Sequence, residues 1–179
     1  MSLINSRSGQ IWVETVVYTL IGLALIGLVL AILTPKIKEF RDRSIIEQTI
    51  ESLNVFDSKI NDVLDAPGNK RKVEFTLERG RFIVNSSGDT LQFVLDESNV
   101  RYSEPGVSLD VGRINITTEA LTEKYIITLR LHYPYNITYD GEDNEISSEF
   151  TPVSIPYDFF VENRGIVNNK PWIDVSEGN

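Results

Sequence analysis

The sequence predicts an α+β protein. A long N-terminal helix begins as a transmembrane segment, continues as an amphipathic one, and leads into an antiparallel all-β, sandwich-like head domain. Three observations carry this expectation. Thr15 to Pro35 is a run of 21 residues without a charge. From Ile46 to Leu64 apolar residues recur every three or four positions, and from Arg71 onward the apolar period drops to two.

The charge-free run comes first. At ~1.5 Å per residue a helix of this length covers about 31 Å, which matches a hydrocarbon core of about 30 Å. The apolar part of a secretory signal peptide spans only about 7 to 15 residues and ends in a small-residue cleavage site. This run instead leads into Thr34-Pro35-Lys36. A helix buried in a soluble protein rarely stays free of charge for so long. A single membrane crossing is expected, with lipid as its surroundings.

Glu14 stands at the mouth of this segment, beside Trp12. Near hydrocarbon an ionised carboxylate costs on the order of a few kcal/mol unless it is paired or reaches the headgroups. On one reading Glu14 simply marks the interface, with Trp12 as an aromatic belt residue. The other reading uses spacing. A cut between Gly9 and Gln10 would give Gln10 an α-ammonium group one helical turn from Glu14, on the same face. That amine, or the same amine on a neighbouring copy, would neutralise the acid and favour assembly.

A short polar leader with one basic residue, Arg7, then Gly9-Gln10, then Glu14, then about twenty apolar residues resembles a type IV pilin-like precursor. The Gln10-x-x-x-Glu14 form is most similar to archaeal pilins and archaeal flagellins. The resemblance covers residues 6 to 35 and departs at two of them: Ser8 stands where such leaders often carry Lys or Arg, and Trp12 where a small or aliphatic residue is usual. It implies that residues 1–9 are a leader removed by a prepilin peptidase on the cytoplasmic side, with Gly9 and Gln10 flanking the cut. It also implies that residues 10–35 form the hydrophobic helix of a filament core and that other pilin-like subunits are partners. An uncleaved signal anchor is the competing reading.

Beyond Pro35 the helix continues as an amphipathic segment over residues 36–67. Ile46, Ile50, Leu53, Phe56, Ile60, Val63 and Leu64 form its apolar stripe, and Pro67-Gly68 ends it. One helix from Gln10 to Ala66 would be on the order of 85 Å long; two helices hinged at Thr34-Pro35 is the alternative, because proline disturbs the preceding turn.

Residues 68–179 are the expected head. Val73, Phe75 and Leu77 alternate, as do Phe82 and Val84, then Leu91, Phe93 and Leu95, then Val107, Leu109 and Val111, then Ile114 and Ile116. The plainest strand alternates Tyr125, Ile127, Leu129, Leu131 and Tyr133. Turn signals separate them at Ser87-Gly88-Asp89, Glu104-Pro105-Gly106, Asp140-Gly141 and Arg164-Gly165. Short strands at such spacing indicate an antiparallel sandwich.

Composition narrows the function. The net charge of −9 and pI of about 4.7 argue against a nucleic-acid partner, which calls for clustered cations. With no cysteine there is no disulfide, no thiol nucleophile and no thiolate metal site. The single histidine, His132, faces away from Leu131 and Tyr133 on its strand, where a polar surface role is expected. No catalytic or nucleotide-binding motif occurs, so neither an enzyme nor a cofactor is expected. The acidic loop Asp140–Glu145 has Glu145 where a calcium-binding EF-hand loop needs glycine. Three sequons, at Asn85, Asn115 and Asn136, are possible N-glycosylation sites if the head lies outside the cell.

Sidedness is contested within the sequence. Lys36, Lys38, Arg41 and Arg43 follow the apolar segment, and a bare count of cations would hold that end in the cytoplasm. The leader and the acidic, sequon-bearing head favour the outside. The expectation is a single-pass membrane protein with its C-terminal domain outside, joining a surface filament after assembly. An anchored extracellular binding protein is the alternative.

Overall fold

The computed structural model describes residues 6–141 and 147–178. The chain divides into two units between Phe40 and Arg41. A single helical element, α1 (Ser6–Leu64), has Pro35 inside it rather than at a break between two helices.

Among the described residues of the first unit, α1 is the whole structure. No residue of its apolar stretch is buried, and that stretch has the length and composition to cross a membrane. Leu23, Leu25, Ile26, Leu28 and Leu30 are among the large side chains left exposed. The hydroxyls of Thr19 and Thr34 donate to the carbonyls of Thr15 and Leu30, at 2.8 and 2.7 Å. Each hydroxyl is thereby satisfied within its own helix, as an apolar environment requires.

The second unit begins at Arg41 with the amphipathic part of α1. Ile45, Ile46, Leu53, Phe56, Ile60 and Val63 are buried, and Ile50 and Leu64 pack at the margin of the same core. The helix ends at Leu64, two residues before Ala66. Asn163, itself buried, donates its Nδ2 to the Val63 carbonyl at 2.9 Å, and its own carbonyl accepts from Gly68 N at 2.7 Å. A helix leaves its last carbonyls without intrahelical donors; here a residue 100 positions away supplies one.

Ten strands follow: β1 (Lys70–Phe75), β2 (Arg81–Asn85), β3 (Thr90–Ser98), β4 (Leu109–Val111), β5 (Ile114–Ala120), β6 (Tyr125–His132), β7 (Asn136–Tyr139), β8 (Ser148–Phe150), β9 (Tyr157–Val167) and β10 (Lys170–Glu177). They form a four-stranded sheet in the order β1-β9-β10-β7 and a six-stranded sheet in the order β4-β5-β6-β3-β2-β8. The pairing is antiparallel except between β7 and β10, which run parallel. The fold class is therefore α+β with an antiparallel-rich β head.

The stretch from Val73 to Val84 crosses between sheets, since β1 belongs to the smaller and β2 to the larger. Gly80 makes the crossing possible. Its φ is +86°, and a Cβ there would lie 2.6 Å from the Val94 carbonyl oxygen and 2.8 Å from the Phe93 ring. Two expectations fail nearby and further on. Val107 and Leu109 are exposed rather than inward: Val107 lies in the turn before β4, and Leu109 opens β4, a three-residue edge strand with a neighbour on one side only. Arg164-Gly165 lies inside β9 opposite a bulge at Trp172/Ile173, and the reversal occurs instead at Asn168-Asn169. Both asparagines have positive φ (51° and 63°), as a tight hairpin turn matched to strand twist demands.

Helix and sheets meet at one aromatic junction. The Phe56 ring of α1 lies 6.4 Å from Phe75 of β1, 5.7 Å from Phe82 of β2 and 5.8 Å from Phe159 of β9. Phe75 and Phe82, from different sheets, are 4.6 Å apart. Replacing Phe56 with alanine should cost about 3–5 kcal/mol, while leucine, which refills much of the volume, should cost less than half of that. Urea unfolding of the detergent-solubilised chain, followed by Trp172 fluorescence, measures both; equal losses would show that the junction does not depend on shape.

Candidate functional site

The sequence marks the N-terminal segment as the site. Met1 to Asn5, most of the expected leader, lie outside the described residues. Gly9 and Gln10 fall within α1. Glu14 follows Gln10 by four residues, so both positions occupy one helix face. Glu14 is exposed, and among the described residues no cation pairs with it. Trp12 beside it is also exposed, at 70 %. The arrangement is a carboxylate on a bare apolar helix, able to accept from an ammonium group that approaches along the same face.

The cations after the apolar segment are not all alike. Lys36 pairs with Glu39 at 2.8 Å and Arg43 with Glu47 at 3.0 Å, both exposed and within a turn, hence worth only a few tenths of a kcal/mol. Lys38 and Arg41 are exposed, with no ion-pair partner among the described residues.

The three sequons differ in what holds their amides. Asn85 closes β2, where its Oδ1 accepts from Ser87 Oγ at 2.9 Å and Gly88 N at 3.0 Å. Asn115, in β5, donates its Nδ2 to Asp110 at 2.7 Å and to Ser108. Asn136 opens β7 opposite Trp172, and the hydroxyl of its sequon residue Thr138 is buried between Asp174 and Trp172 Nε1. Each asparagine is half-buried.

His132 is exposed at the end of β6, opposite Thr90. Asp140 and Gly141 are described, whereas residues 142–146 of the acidic loop lie outside the described residues. Among the described residues no group of three or more His, Asp or Glu side chains comes together to hold a metal ion.

Two polar clusters escape a reading of the sequence. Asp42, flanked by Arg41 and Arg43, looks like part of a solvated charge run, yet it is buried. One oxygen accepts from Arg79, and the other from the backbone and side-chain nitrogens of Asn99, each at 2.6 Å. Lys124 donates to the side-chain amide oxygen Oδ1 of Asn99. A signal was present: Asp42 is in phase with Ile46, Thr49, Leu53 and Phe56 on the buried face. The second cluster joins Asp57, Arg113, Tyr133 and Tyr135. Arg113 donates to Asp57 at 2.6 Å and lies over the Tyr133 ring, 5.1 Å from its centroid. The hydroxyls of Tyr133 and Tyr135 are buried without a hydrogen-bond partner. Burial, and for Tyr133 the neighbouring charge of Asp57, push both phenols above their ordinary value.

Removing Asp42 by alanine strands Asn99 N–H and breaks a partly buried ion pair. It should cost about 3 kcal/mol in urea unfolding. For Tyr133 the sign follows from linkage. Its phenol releases a proton more readily unfolded than folded, so the stability it contributes is complete below about pH 10 and is lost as the pH rises further. Tyr133→Phe should change stability at pH 7 by less than ~1 kcal/mol, because no hydrogen bond is lost, and should raise the pH at which alkali unfolds the head. A pH titration of the melting temperature checks both; an unchanged alkaline limit would discount Tyr133.

In comparison with known proteins, no family model, no curated protein and no solved structure matches the chain.

Proposed function

We propose that the chain is a structural type IV pilin-like subunit. It is inserted in the membrane as a precursor, cut between Gly9 and Gln10, and assembled into a surface filament or pseudopilus through residues 10–35. The head of residues 68–179 then stands outside the cell and serves adhesion or contacts with partners. The observation that carries this reading is Glu14, an acid with no ion-pair partner among the described residues, one turn beyond Gln10 and directly before the uncharged, unburied stretch Thr15 to Pro35.

The physical logic is a difference between two environments. In lipid, the apolar side chains are satisfied but Glu14 is poorly compensated. Beside other subunits the same side chains remain satisfied, and Glu14 gains an ammonium partner from a cleaved N-terminus. Assembly is favoured by the acid rather than by apolar burial, since lipid tails already solvate leucine. Outside the bilayer Lys36, Lys38, Arg41 and Arg43 contact anionic headgroups or the acidic heads of neighbours. The sequons at Asn85, Asn115 and Asn136 suit an exterior surface.

A second reading has its own support in Ser8 and the lone leader cation Arg7. An uncleaved, single-pass anchored binding protein would need no basic residue at the cut. Intact mass of the chain extracted from membranes separates the two. Loss of residues 1–9 is expected of the filament subunit, and a retained leader would remove the first step of that reading. Glu14→Gln should insert and be cleaved normally yet yield few or no filaments by electron microscopy. An anchored receptor would tolerate that change.

A further inference from the structure

The three sequons are alike in sequence and unlike in what the fold does to them. Asn85 is the last residue of β2, and residues 86–89 turn the chain back into β3. Its amide is held by the oxygen: Oδ1 accepts from Gly88 N at 3.0 Å and from Ser87 Oγ at 2.9 Å. A backbone N–H can only donate, so the atom it meets is the oxygen, and the amide has one orientation. Nδ2 is left without a hydrogen-bond partner among the described residues. Ser87 and Gly88 are exposed, and a Cβ on Gly88 would lie 3.5 Å from Nδ2. The glycine thus leaves uncovered a nitrogen that a side chain would crowd.

The other two sequons are closed by different means. Asn115 lies in β5, with β4 and β6 on either side. Its Nδ2 donates to Asp110 at 2.7 Å and to Ser108, two acceptors for its two hydrogens. At Asn136 the hydroxyl is what is taken. Thr138 is 1 % exposed, and its Oγ1 donates to Asp174 at 2.8 Å and accepts from Trp172 Nε1 at 2.7 Å. Along an extended strand, positions i and i+2 stand about 6–7 Å apart, which separates these two asparagines from their sequon hydroxyls. At Asn85 the turn brings hydroxyl and amide into contact.

We propose that Asn85 is the glycan acceptor of the folded head, and that its substrate is a sugar activated at the anomeric carbon as a phosphate ester. Nδ2 forms the new bond to that carbon. The carbon–oxygen bond to phosphate breaks, its electron pair leaves with the phosphate, and one Nδ2 proton passes to a base of the transferring enzyme. The product is still an amide with Oδ1 free to accept, so both hydrogen bonds of the turn survive. The same reaction at Asn115 would disrupt the contacts to Asp110 and Ser108. The proposal rests on the exterior placement of the head in the filament reading, and adds to it the one turn that carries the sugar.

Peptide mapping by mass spectrometry, on the full chain extracted from its own membranes, tests this. The peptide containing Asn85 should carry a sugar mass, and those containing Asn115 and Asn136 should be bare. Asn85→Gln and Ser87→Ala should each remove the whole increment from the intact mass, whereas Asn115→Gln and Asn136→Gln should leave it. Ser87→Thr keeps the hydroxyl and should keep the glycan. Ser87→Ala retains the bond from Gly88 N to Asn85 Oδ1, so an unchanged melting temperature excludes unfolding as the cause of its loss. Protease added to intact cells reports the side on which the head lies. A head digested from outside with Asn85 bare, or with sugar on Asn115 or Asn136, would overturn Asn85 as the acceptor and leave the filament reading standing. A bare head that the cell protects from protease would overturn both.

Discussion

Everything in the second unit depends on seating one helical stripe, from Asp42 to Val63, against two sheets at once. Phe56 sits at the middle of that stripe and touches a ring from β1, from β2 and from β9. Neither sheet alone encloses it. The four-stranded sheet supplies Phe75 and Phe159, the six-stranded one Phe82, and the helix closes the space between them. Polar groups pin both ends: Asp42 is held by Arg79 and Asn99, and Val63 by Asn163. Apolar burial sets how firmly the helix is held, while these two directional bonds set its register along the sheets. A slide by four residues would put Asp57 where Leu53 is buried and leave Asp42 without its donors.

That division of labour explains which features were legible in the sequence. The stripe itself was, because its period of three and four arises from burial on one side, which does not depend on the partner's identity. So was β6, where Ile127, Leu129 and Leu131 all reach the core. Strand alternation reports that one face is buried. It is silent on which strand lies alongside, and the partition into sheets of four and six strands was therefore hidden, as was the parallel pairing of β7 with β10. The same limit misplaced Leu109, whose strand sits at an edge, and Val107, which lies in the turn before that strand. At Arg164-Gly165 the glycine marks a bulge, since glycine permits positive φ wherever it falls, and Asn168-Asn169 performs the reversal by the same conformation without glycine. Asp42 was hidden by its neighbours: between two arginines it read as surface, although its helical phase placed it with Ile46.

The site shows the opposite balance. Its defining feature, an acid at the entrance to a bare apolar helix, is a matter of composition and spacing, and it was available in full from the linear order Gly9, Gln10, Glu14. Among the described residues nothing packs around Glu14, so folding adds no contact there that its place in the linear order did not already give. A groove between α1, at Gln48, Glu51 and Val55, and the chain from Glu74 to Arg79 was invisible for the converse reason. Glu51, Glu74 and Glu78 are ordinary surface residues until β1 and the turn after it bring the last two alongside the helix.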